Sequence, residues 1–463
     1  MSTTRILLQE SRRQALPLLG IAALVEALLA LFLLLSSAEG PLLGGWLYVD
    51  AAARIFLVIA ATVLAGVALY VWNRVRVSPR LAHGLPSFTG YTAGFMGAMT
   101  LAILSNHLAL TWVAIEASAL LAVPLIFHHR TPESISAAWR YHLFSTLGLA
   151  TTLLGIVCLA RGAELSGQEA GLFVRGVERA GPGNVWRSLG VLLVLLGYGA
   201  KLGLAPFYGW LAEAYDKSPP AVTALLSAVQ SSVVFLAVIR VIDAFGKGEP
   251  TIVQNVLVGM GLASMFVSTV HIVTQTNYKR LIAYAAMTHN GIVALGLGAG
   301  RTAAYGVTLY VFSNALVKAL LFLTCGAIKA RYRTKDVNDL RGLIKEMPVS
   351  GLCFMIGTFA LLGFAPFGSF LGEVLILEGL IHKHHIAMFI IFSVLLTIVL
   401  VALGRSLFPM IFGEPHHGAR RDEPLASLAP NILFLALLVT LGIYVPRPID
   451  ELFTQVAARL GGS

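Results

Sequence analysis

Residues 192–211 read "LLVLLGYGAKLGLAPFYGWL" and decide the fold class. The run has the length of a membrane-crossing helix, because about 20 apolar residues span the hydrocarbon core. It nevertheless carries Lys201 near its middle and Pro206 five residues later. A lysine at the bilayer centre costs about 2.5–3.5 kcal/mol on insertion scales. Polar groups inside the protein must therefore offset that cost.

The composition of the whole chain is that of an integral membrane protein. Of 463 residues, 57% are hydrophobic and 12% are charged, whereas a soluble chain has roughly 25% charged residues. The net charge of +10 is attributed to basic cytoplasmic loops, and nucleic acid is excluded as a partner. The first long apolar run, residues 15–37, exceeds the core of a cleavable signal, which is about 7–15 residues.

Apolar runs of spanning length predict an all-α, polytopic protein with about 13 transmembrane helices in a single membrane domain, 1–463. The predicted spans lie near 15–37, 53–73, 88–105, 107–127, 139–160, 187–209, 219–243, 253–275, 280–300, 303–328, 349–380, 385–411 and 426–445. Residues 446–463 are predicted to form a short amphipathic surface helix.

Alternating the loops between the two sides gives a clear asymmetry of basic residues. The stretch "KARYRTKDVNDLRGLIKE" (329–346) and the other most basic loops fall on one side. The positive-inside rule then places the N-terminus in the cytoplasm and the C-terminus outside. We expect a bacterial or archaeal cell membrane, in the bacterial case the inner one, with lipids as neighbours.

The three cysteines, Cys158, Cys325 and Cys353, lie far apart inside apolar segments, and the chain has no CxxC motif. We therefore predict no disulfide, no metal site and no cofactor, and we expect any redox chemistry to occur on a partner. The histidine clusters "HKHH" (382–385) and "EPHH" (414–417) fall in loops assigned to opposite sides, so they do not form one metal site.

Ionisable residues fall inside four different predicted helices: Glu116, Lys201, Lys318 and Glu373. His289 and His142 add groups whose ordinary pKa lies near 6.5. Snorkelling or isolated hydrogen bonds explain one such residue, but four would each need separate compensation. An arrangement that pairs an acid with a lysine offsets both costs and makes a proton site whose affinity changes with geometry.

Two proline-containing segments resemble each other. "GLAPFYGWLAE" (203–213) and "GFAPFGSFLGE" (363–373) share Gly, Ala, Pro, Phe, Leu and Glu at matching offsets. Five predicted spans separate them, so they would cross the membrane in opposite directions, as in an inverted repeat. Both place a helix break beside a charge, which indicates a polar cavity. Two unrelated proline kinks are the alternative.

Five ordered motifs resemble one family. They are "LSNHLALTWVAIEASALLAVPLI", "GYGAKLGLAPFYGWLAEAYDKSPPAVTALLSA", "NYKRLIAYAAMTHNGIVALGLG", "NALVKALLFLTCGA" and "GFAPFGSFLGEVLIL". Together they are similar to the antiporter-like subunits of respiratory complex I, Mrp sodium/proton antiporters and group 4 membrane-bound hydrogenases. Within this family, a glutamate rather than a lysine at position 373 makes the chain most similar to the F-type component of hydrogenase-4 and of formate hydrogenlyase-like complexes.

The resemblance implies a fold and a role for each buried charge. Two inverted five-helix repeats, 88–243 and 253–411, would each contain a broken helix. Glu116 and Lys201 would form the proton site of the first half, and Lys318 and Glu373 that of the second. His289 would help join the halves along a hydrated axis.

Ser227 and Asn314 occupy positions where relatives often carry histidine, which weakens the titratable link between the halves. Water held by Ser227, Gln230 and Asn314, with His142 as a further candidate, would then carry the protons; the alternative is an attenuated pump.

We therefore predict a proton-translocating subunit, without catalysis of its own, in a redox-driven complex with other membrane and peripheral subunits. Mrp-like exchange of protons with a cation such as Na⁺ is one alternative. A second is energy coupling for inorganic-carbon uptake, and a third is a membrane anchor that conducts nothing.

Overall fold

The computed structural model describes residues 2–36, 39–77, 84–166, 172–175, 184–245, 250–382, 386–415 and 429–460. Most of them are helical. Helices of ten or more residues are α1 (Ser2–Leu35), α2 (Ala51–Val77), α3 (Leu85–Leu104), α4 (Leu108–Ile126), α5 (Pro132–Leu165), α6 (Val185–Lys201), α9 (Ser231–Phe245), α10 (Pro250–Thr274), α11 (Tyr278–Ala299), α12 (Ala304–Tyr332), α14 (Pro348–Leu361), α15 (Gly368–His382), α16 (Ile386–Phe412), α17 (Ala429–Ile443) and α18 (Arg447–Leu460).

Short elements complete the fold. They are the helices α7 (Leu211–Lys217), α8 (Pro220–Ala224) and α13 (Leu343–Glu346), and the strands β1 (Gly40–Leu42) and β2 (Leu47–Val49). The strands pair antiparallel as one hairpin, which the sequence did not predict because three-residue strands carry too little alternation. Most residues of the histidine clusters, 383–385 and 416–417, lie outside the described residues.

The chain is a multi-pass membrane protein. Nine helices of the described part are long and apolar enough to cross a bilayer, and α17 with α18, bent by 68°, makes a tenth if counted as one span. The predicted segments that became broken helices are not among these. The predicted number of thirteen spans therefore stays a prediction.

Burial separates a central layer of helices from a peripheral one. The most apolar windows of α11 and α12 are each 94% buried, and that of residues 220–245 is 100% buried, whereas the corresponding window of α16 is 22% buried. A helix that is buried on every side lies in the middle of a bundle, and one with a broad exposed apolar face is suited to contact lipid. Polar groups on α11 and α12 are therefore shielded from lipid by the other helices.

The first helix break follows Lys201, where α6 ends, and the chain becomes helical again at Leu211. Gly203 adopts a φ of +69°, and a Cβ at that position would collide with the side chain of Leu211. Pro206 has no N–H and so cannot continue the helix by bonding the carbonyl of Leu202. The predicted break is confirmed, and it leaves that carbonyl in need of another donor.

The second break has the same backbone plan. Helix α14 ends at Leu361, Gly363 has a φ of +68°, and α15 begins at Gly368. A Cβ at Gly363 would collide with the carboxylate of Glu373, so glycine lets this acid approach the break. Pro366 stands where Pro206 stands in the first break. The proposed boundaries of the two repeats stay predictions.

A cluster of ion pairs fastens one end of the bundle. Asp50 precedes α2, and its Oδ2 lies 2.9 Å from Arg175 Nη2, while its Oδ1 lies 3.6 Å from Arg240 Nη2. Arg175 also pairs with Asp243 at 2.7 Å, and Arg459 of α18 lies 3.5 Å from Asp50. The cluster therefore joins α2, α9, α18 and residues 172–175.

We expect Asp50→Asn to lower the free energy of unfolding by about 3 kcal/mol, because it leaves the buried guanidinium of Arg240 without a carboxylate partner. Asparagine keeps the hydrogen bond that Asp50 Oδ1 accepts from Ala53 N at 2.7 Å, so only the charge is lost. Thermal unfolding in detergent measures the change. The control is Glu164→Gln, which breaks an exposed pair with Arg161 and should cost no more than about 1 kcal/mol.

The environment of Asp50 also predicts that the stability of the folded chain depends on pH. Burial raises the pKa of Asp50, but Arg240 and Arg175 outweigh this and hold the pKa below its ordinary value. Stabilisation by a carboxyl with a depressed pKa is complete above the unfolded pKa of about 3.9 and is lost as pH falls through the folded pKa. If Asp50→Asn lost as much stability on acidification as the unmodified chain does, the acid-side loss could not be assigned to Asp50.

Candidate proton-transfer site

Lys201 is 1% exposed, and hydroxyl groups of α5 surround its ammonium. Its Nζ donates hydrogen bonds to Tyr141 Oη at 2.9 Å and to Ser145 Oγ at 2.6 Å, and it lies 4.7 Å from the centre of the Tyr141 ring. The Tyr141 hydroxyl donates in turn to Gln230 Oε1 at 2.9 Å. Tyr141 and Ser145 stand one helical turn apart, so both reach the same ammonium.

Glu116 of α4 lies near Lys201 without contacting it. Lys201 bonds to Tyr141 and Ser145 and makes no ion pair with Glu116 within 4 Å, although the charge of Glu116 acts on Lys201 at longer range. The Oε2 atom of Glu116 is buried and has no hydrogen-bond partner among the described residues. The expected direct contact between Glu116 and Lys201 is therefore not formed, because Tyr141 and Ser145 bond the ammonium instead. A free carboxylate oxygen is an available site for a proton.

Lys318 of α12 is 3% exposed and bonds to an amide rather than to a carboxylate. Its Nζ donates to Asn290 Oδ1 at 2.7 Å. The amide nitrogen of Asn290 donates to the carbonyl of Leu202 at 2.9 Å. Lys318 is thus connected through a single side chain to the first helix break.

Glu373, which is 5% exposed, belongs to a hydrogen-bonded chain at the second break. Its Oε1 accepts a hydrogen bond from the Tyr310 hydroxyl at 2.9 Å. The same hydroxyl bonds to Nδ1 of His289, and the carbonyl of Leu361 lies beside the imidazole. A phenol between a carboxyl and an imidazole can pass a proton by giving up one hydrogen bond as it gains another.

Three of the residues predicted for the hydrated link are buried in the described structure. Ser227, Gln230 and Asn314 are 1%, 2% and 4% exposed, and Gln230 is attached to Lys201 through Tyr141. Ser227 and Gln230 lie in a π-helical segment, Leu225–Gln230, inside an otherwise α-helical span. Such segments are frequent at functional sites because they rotate side chains out of the regular α-helical order.

The structure does not bring His142 into this interior. His142 lies on α5 next to Tyr141, but its ring is only partly buried and bonds to Thr146 at 3.4 Å on an exposed face. Adjacent helical residues point about 100° apart, so the turn that directs Tyr141 inward directs His142 outward. His142 joins none of the three buried chains described above.

The basic motif that begins α11 binds the end of α7. Lys279 Nζ donates to the carbonyl of Ser218 at 2.9 Å, and Lys335 Nζ lies 2.6 Å from Asp216 Oδ1. Arg280 Nε lies 3.4 Å from the other oxygen of Asp216. These contacts fix the segment after the first break against α11, which positions the broken helix.

Four residues of the site were missed by sequence reasoning. They are Tyr141, Ser145, Asn290 and Tyr310, and all four are neutral polar residues in long apolar helices. Two of them carried a usable signal, since Asn290 follows His289 directly and Tyr310 lies eight residues before Lys318 in the same helix. Among the described residues, no group of three or more His, Cys, Asp or Glu side chains is placed to hold a metal ion.

Residues 105–399 match the model of the membrane family described as NADH:quinone oxidoreductase/Mrp antiporter. The chain belongs to this family. A hydrogenase-4 component F homolog from Methylacidiphilum infernorum is 29% identical over 429 residues, covering 90% of this chain and 89% of that protein. An NADH-quinone oxidoreductase subunit N from Desulforudis audaxviator is 28% identical and covers 87% of this chain and 81% of its own length.

The fold of this family is also found in solved structures. A chain of the membrane-bound sulfane sulfur reductase, an archaeal respiratory membrane complex, superposes with a TM-score of 0.86. It is 22% identical and covers 98% of this chain and 94% of that chain. The match extends over nearly all of the chain, which confirms the expected polytopic antiporter-like fold.

We expect Lys201→Met to leave the thermal midpoint unchanged or to raise it. A buried ammonium without a contacting carboxylate carries a desolvation cost, and replacing buried charge by an apolar side chain is often neutral or stabilising by about 1–4 kcal/mol. The comparison variant is Leu195→Ala, which removes a side chain that is 1% exposed in the same helix and should cost about 2–5 kcal/mol. A loss for Lys201→Met as large as that for Leu195→Ala would mean that Lys201 is a structural residue.

Proposed function

We propose that the chain is a proton-translocating subunit, without catalysis of its own, of a redox-driven membrane complex. The observation that carries this proposal is the burial of Lys201, Lys318 and Glu373 in hydrogen-bonded chains of neutral side chains. Family membership supports it, and the named relatives are subunits of hydrogenase-4 and NADH-quinone oxidoreductase types. Such relatives work as parts of multi-subunit complexes, and so does this chain.

The buried lysines are suited to bind and release protons because no fixed opposite charge contacts them. Desolvation opposes the charged form of a lysine, and an approaching carboxylate favours it. Glu116 has a free oxygen near Lys201, so a small movement of α4 would change how strongly Lys201 holds its proton. A site whose affinity responds to movement allows pumping rather than leakage.

We propose that two inverted repeats, 88–243 and 253–411, each supply one half of the path. The shared backbone plan of the two breaks supports this assignment. In the first half, Glu116 and Lys201 exchange protons, and in the second half Lys318, His289 and Glu373 do so. Gln230, Ser227 and Asn314 would hold water between them.

The driving energy would come from electron transfer in partner subunits. We place the N-terminus in the cytoplasm and the C-terminus outside. Basic residues at helix ends and in one loop support this orientation, because they fall at the end of the bundle assigned to the cytoplasm: Arg74, Lys279, Arg280, Lys329 and Lys335.

Proton uptake by the intact complex tests the proposal. The complex would be purified through a tag on this chain, reconstituted into vesicles and driven by its own electron donor and acceptor. We expect Lys201→Ala and Glu116→Gln each to lower proton uptake per electron at least about tenfold, the scale on which positioned acid–base groups act. Lys345→Ala is the control, because Lys345 is exposed and pairs with the exposed Glu414.

Unchanged proton uptake in both variants would refute the proposed function and favour an anchor that conducts nothing.

Exchange of Na⁺ for protons is a second candidate, favoured by the Mrp antiporters in the family description. Uptake of ²²Na⁺ that depends on Glu116 and persists without electron transfer would support it. Co-purification with a zinc-containing partner resembling carbonic anhydrase would instead support inorganic-carbon uptake.

A further inference from the structure

Asn290 connects the two halves of the protein through both ends of its amide. It is 1% exposed on the almost wholly buried helix α11, it accepts from Lys318 and it donates to the carbonyl of Leu202. We propose that Asn290 is a positioning residue that couples the charge of Lys318 to the helix break beside Lys201. The inference deepens the proposed function and rests on it, because it assigns how one half-channel regulates the other.

The carbonyl of Leu202 needs a donor from outside its own helix. In a continuous helix this carbonyl would accept from the N–H of residue 206, but that residue is a proline. Leu202 is 2% exposed, so an unpaired carbonyl there would carry the cost of a buried polar group without a partner. Asn290 Nδ2 supplies the missing hydrogen bond at 2.9 Å.

The proton on Lys318 fixes the orientation of the amide. Turning the amide over would place its NH₂ group against the ammonium and its oxygen against the carbonyl of Leu202, which removes both hydrogen bonds. A bond from an ammonium is roughly twice as strong as a neutral one, and it polarises the amide so that Nδ2–H becomes a better donor. Loss of the proton therefore weakens the bond to the break as well.

The break in turn adjoins the first proton site. Leu202 follows Lys201 directly, and Lys201 holds its ammonium against Tyr141 and Ser145. A looser bond at Leu202 gives Lys201 more freedom to move away from these hydroxyls. Because coupling between sites is reciprocal, the state of the break also affects how strongly Lys318 holds its proton.

The neighbouring residue of α11 makes the corresponding link at the second break. His289 lies beside the carbonyl of Leu361 and is connected through Tyr310 to Glu373. Adjacent residues of one buried helix therefore contact both broken helices. This placement favours a role for α11 in coupling, and it makes Asn290 the member of the pair that acts on the first half.

Hydrogen–deuterium exchange of residues 202–207 in the purified complex tests the coupling. Lys318→Met removes the ammonium and should raise exchange of these amides about five- to tenfold, the scale of one lost hydrogen bond between neutral groups such as that from Asn290 to Leu202. In an Asn290→Ala background, where exchange is already raised, Lys318→Met should have no further effect. Independent, multiplicative effects of the two substitutions would overturn the proposal, since that result means Asn290 transmits nothing.

Ser264→Ala is the matched control, because Ser264 Oγ accepts from Ala205 N at 2.8 Å and holds the same break without bonding Lys318. It should raise exchange by itself and leave the effect of Lys318→Met intact. If Asn290→Ala prevents assembly, Asn290→Leu serves in the same cycle, since it keeps the volume of the side chain and removes both of its hydrogen bonds.

Proton uptake by the Lys201→Ala and Glu116→Gln complexes, measured beside the exchange, separates this inference from the proposed function. Non-additive exchange together with unchanged uptake in both variants would leave the coupling standing and refute proton translocation. Additive effects on exchange together with lost proton uptake would refute the coupling through Asn290 and support proton translocation.

Discussion

The cost of placing a charge in an apolar interior governs this structure. An ammonium or carboxylate at membrane depth must be solvated by the protein itself, and here neutral groups do so. Tyr141 and Ser145 bond Lys201, Asn290 bonds Lys318, and Tyr310 bonds Glu373. A neutral partner stabilises a charge without fixing it, because a hydroxyl or an amide also tolerates the uncharged form of its neighbour. This tolerance is what a group that binds and releases protons requires.

Charges at the ends of the bundle are treated differently. Asp50 is held by guanidinium groups, and Asp216 contacts Lys335 at 2.6 Å. Fixed ion pairs of this kind join helices, and losing either partner is costly. The molecule thus has ion-paired charges near its ends and, in its middle, charges that bond only to neutral groups and for which we propose proton exchange. The helix breaks lie beside the buried charges in the middle. Each break leaves a backbone carbonyl without a partner in its own helix, and a side chain of α11 lies next to that carbonyl.

Much of this arrangement is readable from the sequence, because apolar length predicts spans and Gly and Pro predict breaks. Lys201, Lys318 and Glu373 were predicted at depth for the same reason: a charge inside an apolar run has few other places to lie. Their partners were not predictable, since Tyr141 and Asn290 reach the lysines only through the rotation and packing of whole helices. The distance between Glu116 and Lys201 depends on that packing too. Helix α1 begins at Ser2, well before the predicted span at 15–37. Its first turns are polar, so apolar length alone does not predict them.

The most direct test of the account is a cryo-EM map of the intact complex in a lipid nanodisc that is fine enough to show ordered water. We predict a continuous file of water that runs from Lys201 to Glu373 and passes Gln230 and Lys318. Apolar side chains packed without water between these groups, or charged groups turned toward the acyl chains, would contradict the central claim that protons move between the two halves.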